Sequence, residues 1–195
     1  MKKAIITTFI ILFYFLPLNS KAEFKPIFEG NADTKIKLIV FESLTCSHCA
    51  NFHKKIYPNL KKDFLDKGLI SIEFRNFPLD MAALSASMIA HCRNDGKSEI
   101  LHHLYLNQEE WVKSNDPTII KKHLDKYIKE NMKYFNLKYE KCTNDKLLED
   151  HILEDRIEGG KKFKIEATPT LIINGEKFEN PSNYKKLKKY LEKLI

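Results

Sequence analysis

The sequence predicts an α/β fold in which a lobe of helices is inserted between two halves of a sheet-containing core. Three observations predict it. A strand, a helix and a strand come first, a stretch of helical character runs from Leu79 to about Lys146, and a hairpin and a helix follow. With 195 residues, 43% of them apolar, the chain is long enough to bury a core. Six glycines and seven prolines exclude a collagen-like or low-complexity chain.

The first 22 residues have the pattern of a secretory signal peptide. Lys2 and Lys3 precede an uncharged, nearly wholly apolar run from Ala4 to Pro17, and Ser20-Lys21-Ala22 provides a small-x-small cleavage pattern. The apolar run is shorter than the roughly 20 residues of a spanning helix, although an uncleaved anchor is the alternative. We therefore expect residues 1–22 to be removed on export, leaving a soluble protein in an oxidising compartment where cysteines can pair.

The net charge argues against a nucleic-acid partner. The whole chain carries +7, and loss of residues 1–22 removes three lysines and no acid, which leaves about +4. The remaining basic residues are interspersed with acids instead of clustered with aromatics, which is typical of a solvated surface.

Two strands flank the first helix. Lys35–Phe41 is rich in β-branched and aromatic residues and predicts a buried strand, and the alternating Leu69–Phe77 predicts a second strand that Pro78 ends. Strands joined through a helix indicate a right-handed βαβ unit with parallel strands.

The helix between these strands should begin near Cys46, with Thr45 as its N-cap. Pro58 should kink it and Gly68 should end it. Its apolar face is spaced by four residues and consists of Phe52, Ile56, Leu60 and Phe64.

The later elements follow from similar signals. Helices are predicted at Met81–His91, Ser98–Val112, Thr118–Tyr134 and Asp145–Lys162, and a last helix at Ser182–Ile195. A strand at 170–174 ends in an Asn-Gly hairpin signal, and 177–179 gives a weak return strand. We predict a core domain formed by 23–79 and 147–195 and an inserted helical domain at 80–146.

The chemistry is predicted at Cys46-Ser47-His48-Cys49. Two cysteines separated by two residues, directly after a buried strand and at a helix start, form a redox motif in which both sulfurs can bond. The helix N-terminus favours an anion and should depress the pKa of Cys46. Cys46 is the predicted solvent-facing nucleophile and Cys49 the shielded resolving partner. His48 adds a donor beside the sulfur and, when protonated, a positive charge.

A structural metal half-site is the alternative interpretation of these two cysteines. It needs two further ligands, and Cys92 and Cys142 do not form a second such pair. His53 could add a ligand if folding brought it near. His102 and His103 are adjacent and would point in different directions on a helix, so they are interpreted as surface or boundary residues.

Ala167-Thr168-Pro169-Thr170 is the second supporting feature. An X-Pro bond in a tight turn at a strand entrance can be cis. A cis bond would turn the Thr168 backbone outward and leave its N–H and C=O available to an extended peptide.

These features together resemble the DsbA-like thiol:disulfide oxidoreductases. The resemblance rests on the C-S-H-C helix start and its preceding strand, the strand end at 73–79, the helical insertion, and Ala-Thr-Pro-Thr before a hairpin. It implies a thioredoxin fold with an inserted helical domain and the transfer of a disulfide to reduced, newly exported proteins. By resemblance, Cys46 is the attacked sulfur, Cys49 the resolving thiol, His48 the thiolate stabiliser and Pro169 a cis-proline that faces the disulfide, with Thr168 beside it at the substrate.

The resemblance also implies a periplasmic location, no cofactor beyond the Cys46–Cys49 disulfide, and reoxidation by a membrane quinone-linked, DsbB-like partner. The sequence departs from the pattern at three positions. Ser47 replaces a common Pro, Thr168 replaces a common Val, and Val40 stands where related proteins often carry a buried acid that assists proton transfer.

Cys92 and Cys142 can pair across the inserted lobe if Cys46 pairs with Cys49, although two free buried thiols are the alternative. The resemblance supports the bridge, because some DsbA-like proteins carry a second disulfide in the helical domain.

Three functions compete. The first is an exported disulfide oxidase, and the second is a reductase or isomerase of the same fold. Such isomerases usually have a dimerisation domain ahead of the core, and we expect the short segment before Lys35 to be too small for one. The third is a metal-carrying or peptide-binding protein without catalysis.

Overall fold

The computed structural model describes residues 24–137 and 140–195. Of Tyr139 it describes the backbone but not the side chain. The predicted signal peptide lies outside these residues. A five-stranded sheet with the order β1-β3-β2-β4-β5 forms the centre of the described chain. Its strands, in sequence order, are Ile27–Gly30, Ile36–Glu42, Ile70–Asn76, Thr170–Ile173 and Glu176–Phe178.

The sheet places the end of β2 beside the start of β4. Strands β2 and β3 are parallel, with Leu38 opposite Ile72, which confirms the predicted strand–helix–strand unit. Strand β4 runs antiparallel to β2, with Phe41 opposite Thr170, and β5 completes the predicted hairpin. The segments that follow β2 and precede β4 therefore meet at one edge of the sheet.

Strand β1 was not predicted. It covers only four residues, of which only Ile27 is buried, so it has too little alternation for recognition from sequence. It pairs antiparallel with β3, with Phe28 opposite Glu73. Because of this pairing, β3 is an internal strand. The pairing also places Glu29 within hydrogen-bond distance of Tyr57 and His102.

Helix α1 covers residues 47–65 and alternates between two kinds of helical turn. Its α-helical turns are Ser47–Asn51 and Tyr57–Leu60, and its π-helical turns are Phe52–Ile56 and Lys61–Leu65. Pro58 lies in the first turn of the second α-helical segment, where its missing N–H is tolerated. The apolar face predicted at spacings of four residues is therefore interrupted by wider turns.

The prediction that Thr45 caps this helix was wrong. The N-cap is Cys46, which makes no side-chain capping bond. The Thr45 hydroxyl instead donates to Asp80 at 2.6 Å, and Asp80 caps the next helix by accepting from the Ala83 N–H at 2.8 Å. A tertiary contact thus replaces the local one.

The remaining helices are α2 to α8. In order they are Met81–His91, Glu99–Leu106, Gln108–Trp111, Pro117–Asn131, Tyr139–Thr143, Lys146–Lys162 and Tyr184–Glu192, with a 3-10 turn at Lys133–Phe135. The single helix predicted at 98–112 is two helices, because Asn107 leaves the helical conformation at φ −108° and ψ 20°.

Helix α2 lies at the centre of the helical region. All of its residues after Met81 are buried, and it packs against α3, α5, α6 and α7. Helix α7 contacts both α2 and strand β3, so it touches the helical region and the sheet together. The proposed division between residues 146 and 147 falls at the start of this helix and stays a prediction.

A disulfide joins Cys92, at the end of α2, to Cys142 in α6, with Cα atoms 5.2 Å apart. Replacing both cysteines by alanine should lower the free energy of unfolding by about 2–4 kcal/mol, because the bridge closes a loop of 50 residues in the unfolded chain. Urea unfolding of the oxidised wild type and of Cys92→Ala/Cys142→Ala measures this, and equal transition midpoints would contradict it.

Among the residues described, no helix is long and apolar enough to cross a membrane.

Candidate active site

The C-x-x-C turn lies where β2 ends and α1 begins. The Cys46 N–H donates to the Ser43 carbonyl at 3.0 Å, and the Cys46 carbonyl accepts from Ala50 at 3.1 Å. Cys46 is half-buried, Cys49 is completely buried, and both are thiols in this structure. The pair therefore has one sulfur that a visiting group can reach and one that it cannot.

The surroundings of Cys46 favour its thiolate. The pKa of Cys46 is lowered to about 5, chiefly by the hydrogen bond from the Cys49 thiol and against the effect of burial. The Thr168 side chain and the backbone N–H groups of Cys49 and His48 add to the lowering. These polar groups stabilise the charged form of the sulfur, so Cys46 is a thiolate at neutral pH.

Cys49 has the opposite character. Burial raises the pKa of Cys49 well above its ordinary value, and the hydrogen bond to Cys46 and the charge of Glu42 raise it further. Cys49 is therefore a neutral thiol in the reduced protein. The two sulfurs thus differ in the way that the predicted nucleophile and resolving thiol require.

The Thr168–Pro169 peptide bond is cis, as expected, and faces Cys46. The Cys46 Sγ lies 3.3 Å from the Thr168 carbonyl oxygen and donates to it when protonated. Pro169 is buried, and the Thr170 hydroxyl donates to the Ala167 carbonyl at 2.7 Å, which closes the turn. When Cys46 is protonated, its thiol therefore occupies one lone pair of the Thr168 carbonyl oxygen. The sequence predicts instead that this oxygen is free to accept from an extended peptide.

The Thr168 hydroxyl is buried and has no hydrogen-bond partner within the described chain, while the Thr168 side chain lowers the pKa of Cys46. Thr168→Val should therefore raise the pKa of Cys46, because it removes the hydroxyl group that favours the thiolate while keeping the side-chain shape. Thiolate absorbance recorded against pH measures this. Thr118→Val, an exposed threonine on α5, is the control, and identical titrations of the two variants would contradict the assignment.

His48 acts through its backbone. Its side chain is exposed, and its N–H is among the groups that stabilise the Cys46 thiolate. The predicted role of its ring as a stabilising charge stays a prediction.

Gln108 holds the active-site turn from the helical region and was not predicted. Its buried side-chain amide donates to the Leu44 carbonyl at 2.7 Å and to the Cys46 carbonyl at 3.0 Å. Nothing local in the sequence indicates this contact, because α4 lies more than 60 residues away.

A buried acid lies near the two cysteines, although Val40 occupies the position at which related proteins often carry one. Val40 is apolar and completely buried, but Glu42, two residues later in the same strand, is only 3% exposed. Burial raises the pKa of Glu42 well above its ordinary value, and the Cys46 charge raises it further. A charged residue at the end of a buried strand was the available signal.

His53 is a hydrogen-bond partner of Glu42, with Nε2 and Oε2 2.7 Å apart. Within the described residues, no group of three or more His, Cys, Asp or Glu side chains is arranged to hold a metal ion. His102 is partly buried, in agreement with a boundary position, and its Nδ1 lies 2.9 Å from that of His53.

A dithiol turn at the start of a helix, after a central strand and opposite a cis-proline turn, defines the class of thioredoxin-fold dithiol proteins. A family model described as thioredoxin matches residues 23–193, and the chain belongs to this family. The predicted fold class is confirmed.

The chain is similar in sequence to proteins of disulfide chemistry. It is 38% identical over 88 residues to a Rickettsia bellii protein named as a protein-disulfide oxidoreductase, covering 44% of this chain and 34% of the relative. It thus spans about a third of that relative's length. Over 175 residues it is 26% identical to disulfide bond formation protein D of Bacillus subtilis, covering 85% of this chain and 75% of the relative.

Two solved structures superpose on most of the chain. Wolbachia pipientis alpha-DsbA1 superposes with a TM-score of 0.73 at 28% identity, covering 92% of this chain and 93% of the other. Bacillus subtilis BdbD, in its oxidised form, superposes with a TM-score of 0.60 at 20% identity over 87% of this chain and 92% of the other, which shows the shared fold. The resemblance to DsbA-like proteins is confirmed.

Proposed function

We propose that this protein is an exported protein-disulfide oxidase that introduces disulfide bonds into newly exported proteins through Cys46 and Cys49. The observation that carries the proposal is the stabilised Cys46 thiolate, whose pKa is about 5. A disulfide whose reduced form is stabilised is an oxidant, and a thiolate of low pKa is a good leaving group. The same exchange chemistry run in reverse would serve a reductase or isomerase.

The proposed reaction transfers two electrons from the client to the protein. A client thiolate attacks Cys46 of the oxidised protein, forming a mixed disulfide and breaking the Cys46–Cys49 bond. Cys49 leaves as a thiolate and takes up a proton. A second client thiolate then attacks the client sulfur of the mixed disulfide, which forms the client disulfide and releases the Cys46 thiolate.

The surface beside the turn suits an unfolded client. Leu79 and Met81 are 47% and 64% exposed, and they flank Asp80, which accepts the Thr45 hydroxyl. Large exposed apolar side chains next to a half-buried sulfur can contact varied apolar residues of an extended chain. The backbone of Thr168, beside Pro169, would supply edge-strand hydrogen bonds to the same chain.

We infer a periplasmic location from the predicted signal peptide at 1–22 and from the similarity to DsbA-like proteins. The proposed clients are reduced, unfolded exported proteins. The proposed reoxidant is a membrane quinone-linked partner of the DsbB type, and the redox-active disulfide itself takes the place of a cofactor.

Oxidation of a reduced, unfolded test protein such as ribonuclease A tests the proposal. Oxidised protein, supplied stoichiometrically, should convert client thiols to disulfides and should itself be recovered as the dithiol. A parallel assay with scrambled ribonuclease measures isomerisation. Faster rescue of the scrambled client than oxidation of the reduced client would overturn the oxidase proposal in favour of an isomerase. Retention of stoichiometric zinc or copper without thiol exchange would favour a metal-carrying protein.

A further inference from the structure

Gln108 is the residue through which the helical region reaches the active-site turn. It is 5% exposed, whereas its neighbours Glu109 and Glu110 are exposed. The Gln108 side-chain nitrogen lies 2.7 Å from the Leu44 carbonyl oxygen and 3.0 Å from the Cys46 carbonyl oxygen. A primary amide has two N–H groups, so both of them are directed at the turn. The side chain therefore bridges two backbone groups that lie on either side of Thr45.

The first of these carbonyls lies inside the turn that carries Cys46. The Cys46 N–H donates to the Ser43 carbonyl at 3.0 Å, so residues 43–46 form a β-turn with Leu44 at its centre. Leu44 is buried, and a buried carbonyl needs a hydrogen-bond partner. Gln108 provides that partner and thereby fixes the orientation of the peptide plane that follows Leu44.

The second carbonyl, that of Cys46, is the first acceptor of helix α1. It receives the Ala50 N–H at 3.1 Å and the Gln108 amide at 3.0 Å, so both of its lone pairs are occupied. Because the peptide group is planar, fixing this carbonyl also fixes the N–H on the other side of the same plane. The N–H groups of His48 and Cys49 in this turn help to lower the pKa of Cys46. Gln108 thus holds the backbone that stabilises the thiolate.

Helix α4 gives the Gln108 side chain a firm base. Trp111, at the other end of this short helix, is completely buried and donates from Nε1 to the Leu104 carbonyl at 3.1 Å. Glu109 pairs with Lys54 of α1 at 2.7 Å. The base is therefore anchored on α3 and on α1 by contacts that do not involve the side chain of Gln108.

The two redox forms depend on the order of this turn to different degrees. In the oxidised protein Cys46 is bonded to Cys49 and carries no charge, so the N–H groups at the start of α1 have no anion to stabilise. In the reduced protein the Cys46 sulfur is a thiolate, and these N–H groups lower its free energy. Loss of order in the turn should therefore destabilise the reduced form more than the oxidised form. A disulfide whose reduced form is less stable is a weaker oxidant.

We propose that Gln108 is a positioning residue for thiol–disulfide exchange: from its base on α4 it holds the first turn of α1 in the orientation that stabilises the reduced Cys46–Cys49 pair. Its hydrogen bonds go to backbone carbonyls, so it acts on the sulfurs through the backbone. The inference rests on the proposed function and deepens it, because it assigns part of the oxidising strength of the pair to a residue of the helical region.

Gln108→Met tests this role, because it removes both N–H groups and keeps the length of the side chain. The variant should raise the pKa of Cys46 and lower the equilibrium constant for reduction by glutathione about three- to tenfold, the range of one net hydrogen bond. For a two-electron couple this makes the reduction potential more negative by about 15–30 mV. Thiolate absorbance against pH and redox titration with glutathione measure the two quantities. An unchanged pKa and an unchanged potential would overturn the proposal.

Two further variants separate these hydrogen bonds from the docking of α4. Gln108→Glu should give an intermediate shift of the potential, because a carboxyl group between two carbonyl oxygens stays protonated and has one O–H to donate. Glu109→Ala removes the neighbouring contact with Lys54 and leaves Gln108 in place, so it should keep the wild-type potential. A shift in Glu109→Ala as large as that in Gln108→Met would overturn the proposal, since the docking of α4 would then explain both.

Urea unfolding of both redox forms distinguishes positioning from a purely structural role. Gln108→Met should lower the free energy of unfolding of the reduced protein more than that of the oxidised protein, and the difference should match the shift of the potential. Equal losses in the two forms would mean that Gln108 serves folding alone. If neither Gln108→Met nor Gln108→Glu folds in its oxidised form, the role is likewise structural and the proposal is wrong.

This inference and the proposed function fail separately. If the wild type oxidises ribonuclease A but Gln108→Met and Gln108→Glu share its potential, the positioning role is wrong and the oxidase stands. If the wild type does not oxidise ribonuclease A but the potentials of the variants shift as expected, the positioning role stands and the oxidase is wrong.

Discussion

Replacing Cys46 by serine is expected to abolish disulfide transfer completely, whereas replacing Cys49 by serine should trap the reaction halfway. Only Cys46 is partly exposed and held as a thiolate, so it is the sulfur that a client can reach and the better leaving group. A serine hydroxyl cannot form the mixed disulfide. In Cys49→Ser, the Cys46 thiolate can still attack a client disulfide, but no second thiol is present to release it.

Mass spectrometry of each variant after incubation with a disulfide-containing peptide measures both outcomes. Cys49→Ser should gain the mass of one peptide half and Cys46→Ser should gain none, since its remaining thiol is buried and protonated. Adduct formation by Cys46→Ser at the rate of Cys49→Ser would contradict the assigned roles.

The reduced protein is expected to become more stable relative to the oxidised protein as pH rises. The pKa of Cys46 is about 5 in the folded protein and 9.0 ordinarily, and only the reduced protein has this titrating group. Below pH 5 both the folded and the unfolded dithiol are protonated, and the thiolate contributes nothing. Between the two values the unfolded state binds one more proton, so the free energy of unfolding of the reduced protein increases with pH.

The slope of that increase has an upper limit of about 1.4 kcal/mol per pH unit, and solvent screening of the partly exposed sulfur makes it smaller. Thermal unfolding of both redox forms between pH 4 and pH 8 measures it, and the stabilisation should be lost as pH falls through about 5. Reduced Cys46→Ser is the control, because it lacks the group. If the difference in unfolding free energy between the reduced and the oxidised protein does not change over this pH range, a depressed pKa of Cys46 is contradicted.

The fold was predictable where periodicity and turn signals are local. Strands β2 and β3, helices α2 and α7 and the Asn174-Gly175 hairpin were recognised within a residue or two. Strand β1 is too short and too exposed to be recognised, and its pairing with β3 is a tertiary event. Thr45 failed as a cap because Asp80, 35 residues later, binds its hydroxyl.

The candidate site also contains residues that local motifs predict and residues that only tertiary packing brings together. Cys46, Cys49, Thr168 and Pro169 belong to two short motifs that can be read from sequence. The bond from Glu42 to His53 spans 11 residues, that from His53 to His102 spans 49, and that from His102 to Glu29 spans 73. No periodic pattern links such positions, and only the packing of α1 and α3 on the sheet brings them together.

The equilibrium reduction potential of the Cys46–Cys49 pair against glutathione tests the central claim most directly. Stabilisation of the Cys46 thiolate predicts a strongly oxidising pair, with a potential nearer the roughly −120 mV of DsbA than the roughly −270 mV of thioredoxin. A value at or below that of thioredoxin would show that the reduced form is not stabilised and would contradict a disulfide donor.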